Sequence, residues 1–573
     1  MFKGLWLRGR GLFWRLALAT AGLQGVLCCA PQAVVAAERI VVSYNILERS
    51  ISIDDLQNFA DTGELSPQLR EYAGILGLDK EQLESIATLL TTPADLGVVA
   101  VSQFLYTAQG KLLLKQVSEV IQTPSRQAGF SATRAALILA AADPEPGLTI
   151  LNFLRKYPSE VIRIDVGRGL ALAQEINRAI LQSEQAIDLV QREARAQVSA
   201  NPLGDEDFAL ALSLLRNVRR YEPIVTELKV PELSVPVRLL LPQRSSIEVL
   251  PPRNVPLIVV SHGLGSNRET YRYLGETLAQ AGFVVAMIEH TGSNDRQLLN
   301  LQEGLVDAVV EDVEFIRRPL EVSWTLDAIA QATRTGALRG LVNLREIGLI
   351  GQSFGGYTAL AAAGADFSSE AFDQSCPPQP PVFNLSLLLQ CQASLLDETV
   401  NSFVDPRIDA VFAMNPIGSA LFGPQGYGQI SQPLMIVSGT ADTIAPAFPE
   451  QIRPFSWLQG NDQYLLLLSG GTHFSVIGAP PTSNQPIPVP PQIIGPQPEL
   501  AQFYMETYAL AFFQRYLNQD LQFQPLLTSA FTQRLSQEPI PISLIDSLSP
   551  AQIDRALQKE AISGAKIRVM AAP

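Results

Sequence analysis

A serine at the apex of a glycine-rich turn is the residue of this sequence best placed to do chemistry. Ser353 stands within Gly-Gln-Ser-Phe-Gly-Gly at residues 351–356, between an apolar, β-prone run and an alanine-rich run. This order predicts strand, sharp turn and helix, which lifts a serine hydroxyl clear of a sheet as a nucleophile. Gly351 and Gly355 would let strand and helix pass without Cβ clashes. The alternative is a glycine-rich turn with an incidental serine, so the partners of a nucleophile must be sought elsewhere.

A serine nucleophile needs a general base, and the chain has three histidines, His262, His290 and His473. Only His473 follows Ser353, and in one recurrent chain order the serine is followed by an acid and then by a histidine. Asp442 lies between them, directly after a strand-like run. It would hold the imidazole tautomer and stabilise the imidazolium without taking the proton itself. A structural loop histidine and a turn-capping aspartate are the alternatives; the chain order favours a triad.

Two backbone N–H groups near the predicted nucleophile could stabilise an oxyanion. One belongs to Phe354, directly after Ser353. The other belongs to Leu264, which stands between two glycines in the loop after an earlier apolar run. His262 and His290 are interpreted as residues that shape the site, not as reacting groups.

The predicted triad lies where short apolar runs alternate with helix-like segments, over residues 221–520. Continuous apolar runs are typical of parallel strands that are buried on both faces. Two further runs, 224–230 and 235–241, predict an antiparallel pair at the sheet edge. A helix is predicted to begin at Pro319. The sequence therefore predicts an α/β fold, a mostly parallel sheet with helices on both faces, and its strand-like runs are 257–260, 283–288, 347–350, 408–414, 434–437 and 464–468.

Residues 38–220 are predicted to form a separate, mainly helical domain of unknown role. A short strand is predicted at 40–47, and a long amphipathic segment follows later. This part of the sequence contains no histidine and no cluster of catalytic residue types. It is interpreted as structural, and a role as a lid or a partner-binding domain is left open. Residues 521–573 are predicted to be a C-terminal extension.

Composition and charge indicate a folded protein of more than one domain that does not bind nucleic acid. With 573 residues, 47% of them hydrophobic and 17% charged, the chain can build two or three folded domains. A net charge of −14 argues against a nucleic-acid partner.

The N-terminal 37 residues are interpreted as a cleaved signal peptide, which predicts export to the periplasm or beyond. Basic residues precede an apolar run at 16–30, and small residues follow at 34–37. An uncleaved membrane anchor is the alternative, but the run is short for a span. A lipoprotein signal at Cys28 or Cys29 fits the preceding residues poorly.

Cys376 and Cys391 are the cysteines that remain after cleavage. In an exported protein they predict one disulfide, which would stabilise the fold by roughly 3 kcal/mol. Two reduced thiols are the alternative, and a metal site is not expected. The insertion that holds them, residues 365–405, could form a stapled lid. A second insertion, 476–498, is rich in proline and predicts an extended loop.

Several of these motifs resemble the platelet-activating factor acetylhydrolase group of α/β-hydrolases. That resemblance implies a calcium-independent phospholipase that cleaves short or oxidised acyl chains. Residues 442–446 and 471–474 more closely resemble the acid and histidine loops of bacterial cutinases and polyester hydrolases. The acetylhydrolases place their acid one strand earlier, where this chain has Asn415, so the acid is assigned to Asp442. The acetylhydrolase resemblance rests on residues 261–265, 278–286, 289–290 and 351–356.

The N-terminal region resembles an uncharacterised domain that precedes such hydrolases in exported bacterial proteins. Together these patterns predict a serine carboxylic-ester hydrolase with no metal or organic cofactor, acting on a lipid or small acyl ester. Transient contact with a membrane surface is consistent with such a substrate. A serine peptidase or a polyester- or cutin-type hydrolase on the same fold is an alternative, and so is a non-catalytic binding module. Acyl length and oligomeric state are left open.

Overall fold

The structure is a computed structural model that describes residues 36–44, 47–94, 96–244, 253–336, 338–377, 384–396, 402–478 and 494–558. The chain divides into two compact units. The small unit contains the described residues up to Leu96 together with Ser118–Gly167, and the large unit contains Gly97–Val117 and the residues from Arg168 onwards. The predicted signal peptide lies almost entirely outside the described residues. None of the helices in these ranges is long and apolar enough to cross a membrane.

The small unit is built on a short mixed sheet. Its two central strands, Arg39–Tyr44 and Val161–Asp165, are parallel, and Leu47–Ser52 and Ile121–Gln122 pair with them antiparallel at the edges. The first central strand matches the prediction at 40–47, whereas the other three strands were not predicted. The helices of this unit are Ile53–Thr62, Pro67–Leu76, Lys80–Thr91, Phe130–Ala142 and Ile150–Arg155.

The large unit holds a nine-stranded sheet within the described residues. Six central strands are parallel. One strand pairs antiparallel with them at one edge, and at the other edge two strands follow, each antiparallel to its neighbour. The predicted α/β architecture is therefore confirmed. From edge to edge the strands are Ile542–Ile545, Gln463–Leu468, Leu434–Gly439, Ile408–Met414, Val342–Gln352, Val255–Ser261, Val284–Met287, Val237–Arg244 and Tyr221–Leu228.

Helices cover both faces of this sheet, and each face has its own apolar core. Strands such as Leu434–Gly439 are buried at every residue, which explains their uninterrupted apolar sequence. The helices of the large unit are Val98–Tyr106, Ala108–Val120 (whose last three residues belong to the small unit), Val166–Ala200 (whose first two residues belong to the small unit), Asp205–Asn217, Arg272–Gln280, Asp295–Gln302, Glu314–Thr335, Phe354–Ala362, Ser369–Ser375, Ser386–Gln390, Ser419–Tyr427, Arg453–Phe455, Pro498–Tyr516 and Ser529–Leu535. A π-helical turn, Phe448–Ile452, and a 3₁₀ segment, Leu521–Leu527, complete them.

The helix predicted to begin at Pro319 begins instead at Glu314, so Pro319 lies inside it. A proline at this position has no N–H to donate to the carbonyl of Phe315, four residues earlier. The Tyr357 hydroxyl donates a hydrogen bond to that carbonyl at 2.7 Å. The tyrosine therefore supplies the donor that the proline lacks, which lets the helix continue.

Two other predictions concern the ends of the sheet region. The edge pair is confirmed as Tyr221–Leu228 with Val237–Arg244. Part of the predicted C-terminal extension joins the opposite edge, because Ile542–Ile545 pairs antiparallel with Gln463–Leu468. The proline-rich insertion lies largely outside the described residues.

Candidate active site

The predicted nucleophile lies on a sharp turn between strand Val342–Gln352 and helix Phe354–Ala362. Ser353 has a φ of 55° and a ψ of −114°, a conformation that residues with a Cβ rarely adopt. A Cβ on Gly351 would lie 2.0 Å from the carbonyl oxygen of Gly355, and one on Gly355 would lie 2.1 Å from the Ser261 carbonyl oxygen. Only glycine fits at either position, which is the steric reason that the sequence suggested.

The predicted acid and base lie on neighbouring loops at the carboxyl end of the sheet. His473 Nδ1 and Asp442 Oδ2 are 2.7 Å apart, and the Asp442 side chain has no exposed surface. The other carboxylate oxygen, Oδ1, accepts hydrogen bonds from the N–H groups of Ile444 and Ala445, both at 2.8 Å. A carboxylate fixed in this way holds the proton on Nδ1 and leaves Nε2 of His473 free to act as a base.

A fourth donor reaches the same carboxylate from the end of strand Ile408–Met414. Asn415 Nδ2 donates to Asp442 Oδ2 at 2.6 Å, so this oxygen is shared between the amide and His473. Asn415 has a positive φ of 44°, and its own N–H donates to the carbonyl of Val437 at 2.8 Å. Its side-chain oxygen is buried and has no hydrogen-bond partner among the described residues. Sequence reasoning identified this position only as the one that lacks an acid.

Ser353 and His473 line the same cavity, which has a volume of about 530 Å³. Among the described residues, the Ser353 hydroxyl makes no hydrogen bond with His473, and Ser353 is 7% exposed. Contacts between nucleophile and base are commonly long before substrate binds. The backbone of the histidine loop is tied to the turn, because Gln352 Nε2 donates to the His473 carbonyl at 3.2 Å.

The two predicted oxyanion donors remain available for a ligand. Leu264 lines the cavity beside Ser353. Within the described ranges, neither the Leu264 N–H nor the Phe354 N–H donates a hydrogen bond. The loop is held on its far side, where the Gly265 N–H donates to the Ser293 carbonyl at 2.8 Å and the Arg318 guanidinium donates to the His262 carbonyl.

A second serine, histidine and acid set lies buried beneath this loop. His290 Nε2 is 2.9 Å from Ser261 Oγ, and His290 Nδ1 is 2.5 Å from Glu321 Oε2. Burial lowers the pKa of His290 and raises the pKa of Glu321 to about 7. His262 Nε2 accepts from the His290 N–H at 3.0 Å and its Nδ1 contacts the Gly263 carbonyl, so it is neutral, and burial lowers its pKa too.

This buried set has no access to the cavity, since Ser261 and His290 have no exposed surface. Its position supports the interpretation that His262 and His290 shape the loop that carries Leu264. No group of three or more His, Cys, Asp or Glu side chains is placed to bind a metal in the parts of the chain that the structure describes.

The insertion at 365–405 reaches the cavity. Cys376 and Cys391 form a disulfide, as predicted. The buried Glu450 carboxylate anchors the middle of this insertion through hydrogen bonds of 2.6–3.0 Å from Asn384, Ser386 and Gln390. The residues of the insertion that line the cavity are Leu385, Ser386, Leu388 and Leu389.

Two family models match the chain. One is described as "Alpha/beta hydrolase of unknown function (DUF1400)" and matches residues 36–165. The other is described as "Platelet-activating factor acetylhydrolase, isoform II" and matches residues 203–316, a stretch that contains Leu264 and ends before Ser353.

A curated relative, the platelet-activating factor acetylhydrolase of Canis lupus familiaris, is 30% identical over 143 residues. The aligned stretch covers 19% of this chain and 32% of the relative, so the match spans about a third of the relative's length. Together with the sheet topology, these matches show an α/β-hydrolase fold similar to that of the platelet-activating factor acetylhydrolases.

Proposed function

We propose that this chain, an α/β hydrolase similar to the platelet-activating factor acetylhydrolases, is a serine esterase with Ser353, His473 and Asp442 as its triad. The observation that carries the proposal is the 2.7 Å contact between His473 Nδ1 and Asp442 Oδ2, beside a serine held at a φ of 55°. Both the histidine and the serine line one cavity.

In the proposed reaction, Ser353 Oγ attacks the ester carbonyl while His473 Nε2 takes the hydroxyl proton. The negative charge that develops on the carbonyl oxygen is stabilised by the N–H groups of Leu264 and Phe354. The imidazolium then passes its proton to the leaving alcohol, and its own charge is balanced by Asp442. Water enters, loses a proton to the imidazole and releases the acid from the serine by the same route.

The lining of the cavity supports a lipid or acyl ester as the substrate class. Most of its side chains are aliphatic or aromatic, and among the described lining residues none is a lysine or an arginine. A site of this kind favours an uncharged acyl group over an anionic one. The disulfide supports a further proposal, export of the chain, because disulfides persist in oxidising compartments.

The test is turnover of p-nitrophenyl esters of increasing acyl length, compared with the matching anilides. We expect the esters to be hydrolysed and Ser353→Ala to lower kcat by about 10⁴-fold or more. Ser213→Ala, on helix Asp205–Asn217, is the matched control because that serine does not line the cavity. Unchanged turnover in Ser353→Ala would refute the assigned nucleophile. Preference for the anilides would indicate a peptidase, and a folded wild type that turns over neither series would indicate a binding module.

A further inference from the structure

One wall of the cavity comes from a part of the chain that precedes the sheet by more than a hundred residues. Segment Gly97–Val117 belongs to the large unit by its contacts, although the sequence on both sides of it belongs to the small unit. Three of its residues line the cavity that contains Ser353: Phe104, Gln109 and Leu113.

This segment is packed against the rest of the large unit through a neighbouring helix. Helix Val98–Tyr106 packs on helix Asp295–Gln302, which itself contributes Leu298 to the cavity. The Gln103 amide lies so close to Gly304, just beyond that helix, that a Cβ there would be 2.8 Å from Gln103 Nε2. Segment Gly97–Val117 is thus held in place by a helix that also lines the cavity.

The rest of the cavity lining is mostly apolar. The volume of about 530 Å³ lies within the roughly 300–1,000 Å³ of sites that enclose small organic ligands. The other apolar residues that line the cavity are Leu264, Leu298, Val309, Leu385, Leu388, Leu389, Ile417, Ile444, Phe474 and Ile477. A surface of this composition is suited to a hydrocarbon chain.

Gln109 is the polar residue among the three residues of the segment that line the cavity. It is 6% exposed, and its side-chain amide makes no hydrogen bond with any residue that the structure describes. Neither polar atom of this amide is among the fully buried atoms without a partner, so the amide keeps exposed surface where it lines the cavity. A ligand that brings a polar oxygen to this point would accept a hydrogen bond from the amide N–H.

We propose that the cavity is an acyl-chain site and that segment Gly97–Val117 forms one of its walls. It takes the hydrocarbon part of an ester against Phe104 and Leu113, and Gln109 donates a hydrogen bond to an oxygen of the ester or its alcohol. The inference rests on the proposed esterase function and narrows its substrate class to uncharged esters with an extended apolar acyl group. The segment that sequence reasoning assigned to a separate helical domain therefore determines chain-length specificity.

The first experiment reduces the volume of the cavity by enlarging a side chain of the wall. Leu113→Trp adds bulk inside the cavity, and Val99→Trp adds the same bulk on helix Val98–Tyr106, where Val99 is 50% exposed and does not line the cavity. We expect Leu113→Trp to lower kcat/KM for long-chain esters about tenfold or more while that for acetate esters changes little, because steric exclusion grows with chain length. Val99→Trp should leave the chain-length profile unchanged. Equal profiles for both folded variants would overturn the proposal.

A second experiment separates the acyl site from the catalytic assignment. The full chain carrying Ser353→Ala is titrated with a pyrene-labelled alkyl ether, which has the shape of the ester but cannot be hydrolysed. Binding that Leu113→Trp weakens about tenfold and Val99→Trp does not weaken supports the acyl site even if esterase activity is absent. No binding, or equal weakening by both, overturns it even if esterase activity is present.

Gln109→Leu tests the polar contact in the same chain. The substitution keeps the approximate volume and removes the amide. We expect kcat/KM to fall about tenfold for esters of every length, because the lost hydrogen bond does not involve the acyl chain. An unchanged or raised kcat/KM would refute the role given to Gln109.

Discussion

Replacing Asn415 by glycine should slow the proposed ester hydrolysis without weakening substrate binding. The Asn415 amide donates to Asp442 Oδ2, the oxygen that also accepts from His473 Nδ1. Glycine removes the amide and tolerates the φ of 44° that alanine or leucine would adopt only with strain. The substitution therefore tests the hydrogen bond and not the backbone turn.

The size of the effect follows from the partners. A hydrogen bond to a charged group contributes about 1.5–3 kcal/mol, and this one, at 2.6 Å, reaches a carboxylate with no exposed surface. If all of that energy positions Asp442 against the imidazolium in the transition state, kcat falls about 10- to 150-fold, since 1.36 kcal/mol corresponds to a factor of ten. Asn415 does not line the cavity, so KM should stay close to that of the wild type.

The assay is steady-state hydrolysis of one p-nitrophenyl ester, with urea unfolding of the same samples. Asn152→Ala is the matched control, because Asn152 is also a buried asparagine whose amide donates to a carbonyl, that of Gly147, at 2.7 Å, but in the small unit. Both variants should lose stability, and only Asn415→Gly should lose kcat. A wild-type kcat in a folded Asn415→Gly protein, or a loss that appears in KM alone, would refute the positioning role.

Two further predictions concern stability. Burial raises the pKa of Glu321, which faces His290 and Arg318, to about 7 from an ordinary 4.5. The stability that this group contributes is therefore full below pH 4.5 and is lost as the pH rises through 7. In urea unfolding, the free energy of unfolding of Glu321→Gln should rise by about 3 kcal/mol relative to that of the wild type across this pH range, and a difference that does not depend on pH would contradict the shift. Replacing both Cys376 and Cys391 by serine opens the disulfide and should lower the free energy of unfolding by about 3 kcal/mol in the chain-entropy model, and no measurable loss would show that the bond adds no stability.

The sheet and the turn at Ser353 could be predicted because their causes are local. A parallel strand covered on both faces must be apolar throughout, as Leu434–Gly439 is, and this pattern is visible in the sequence. Likewise the glycines at 351 and 355 are required by backbone atoms that come within 2.0–2.1 Å of a Cβ at either position. The order of Ser353, Asp442 and His473 along the chain then predicted the acid and the base on the loops that follow the later strands.

Other features depend on contacts between distant parts of the chain. Strand Val161–Asp165 was missed because its neighbour, Arg39–Tyr44, lies more than a hundred residues earlier. Nothing in the periodicity of segment Gly97–Val117 distinguishes a helix that packs on its sequence neighbours from one that reaches a remote cavity. The role of the Asn415 amide could not be predicted, because the amide contacts Asp442 only where the ends of two strands come together.

The backbone conformation of Ser353 lowers the stability of the fold, although the proposed reaction requires a serine at this position. A non-glycine residue in such a sparsely populated backbone region is destabilised by about 1–3 kcal/mol, and glycine at 353 would relieve this while abolishing the proposed nucleophile. The fold must therefore hold a surplus of stability elsewhere to tolerate a working serine. Variants selected in the laboratory for heat resistance alone would then be expected to drift toward inactivity at this position.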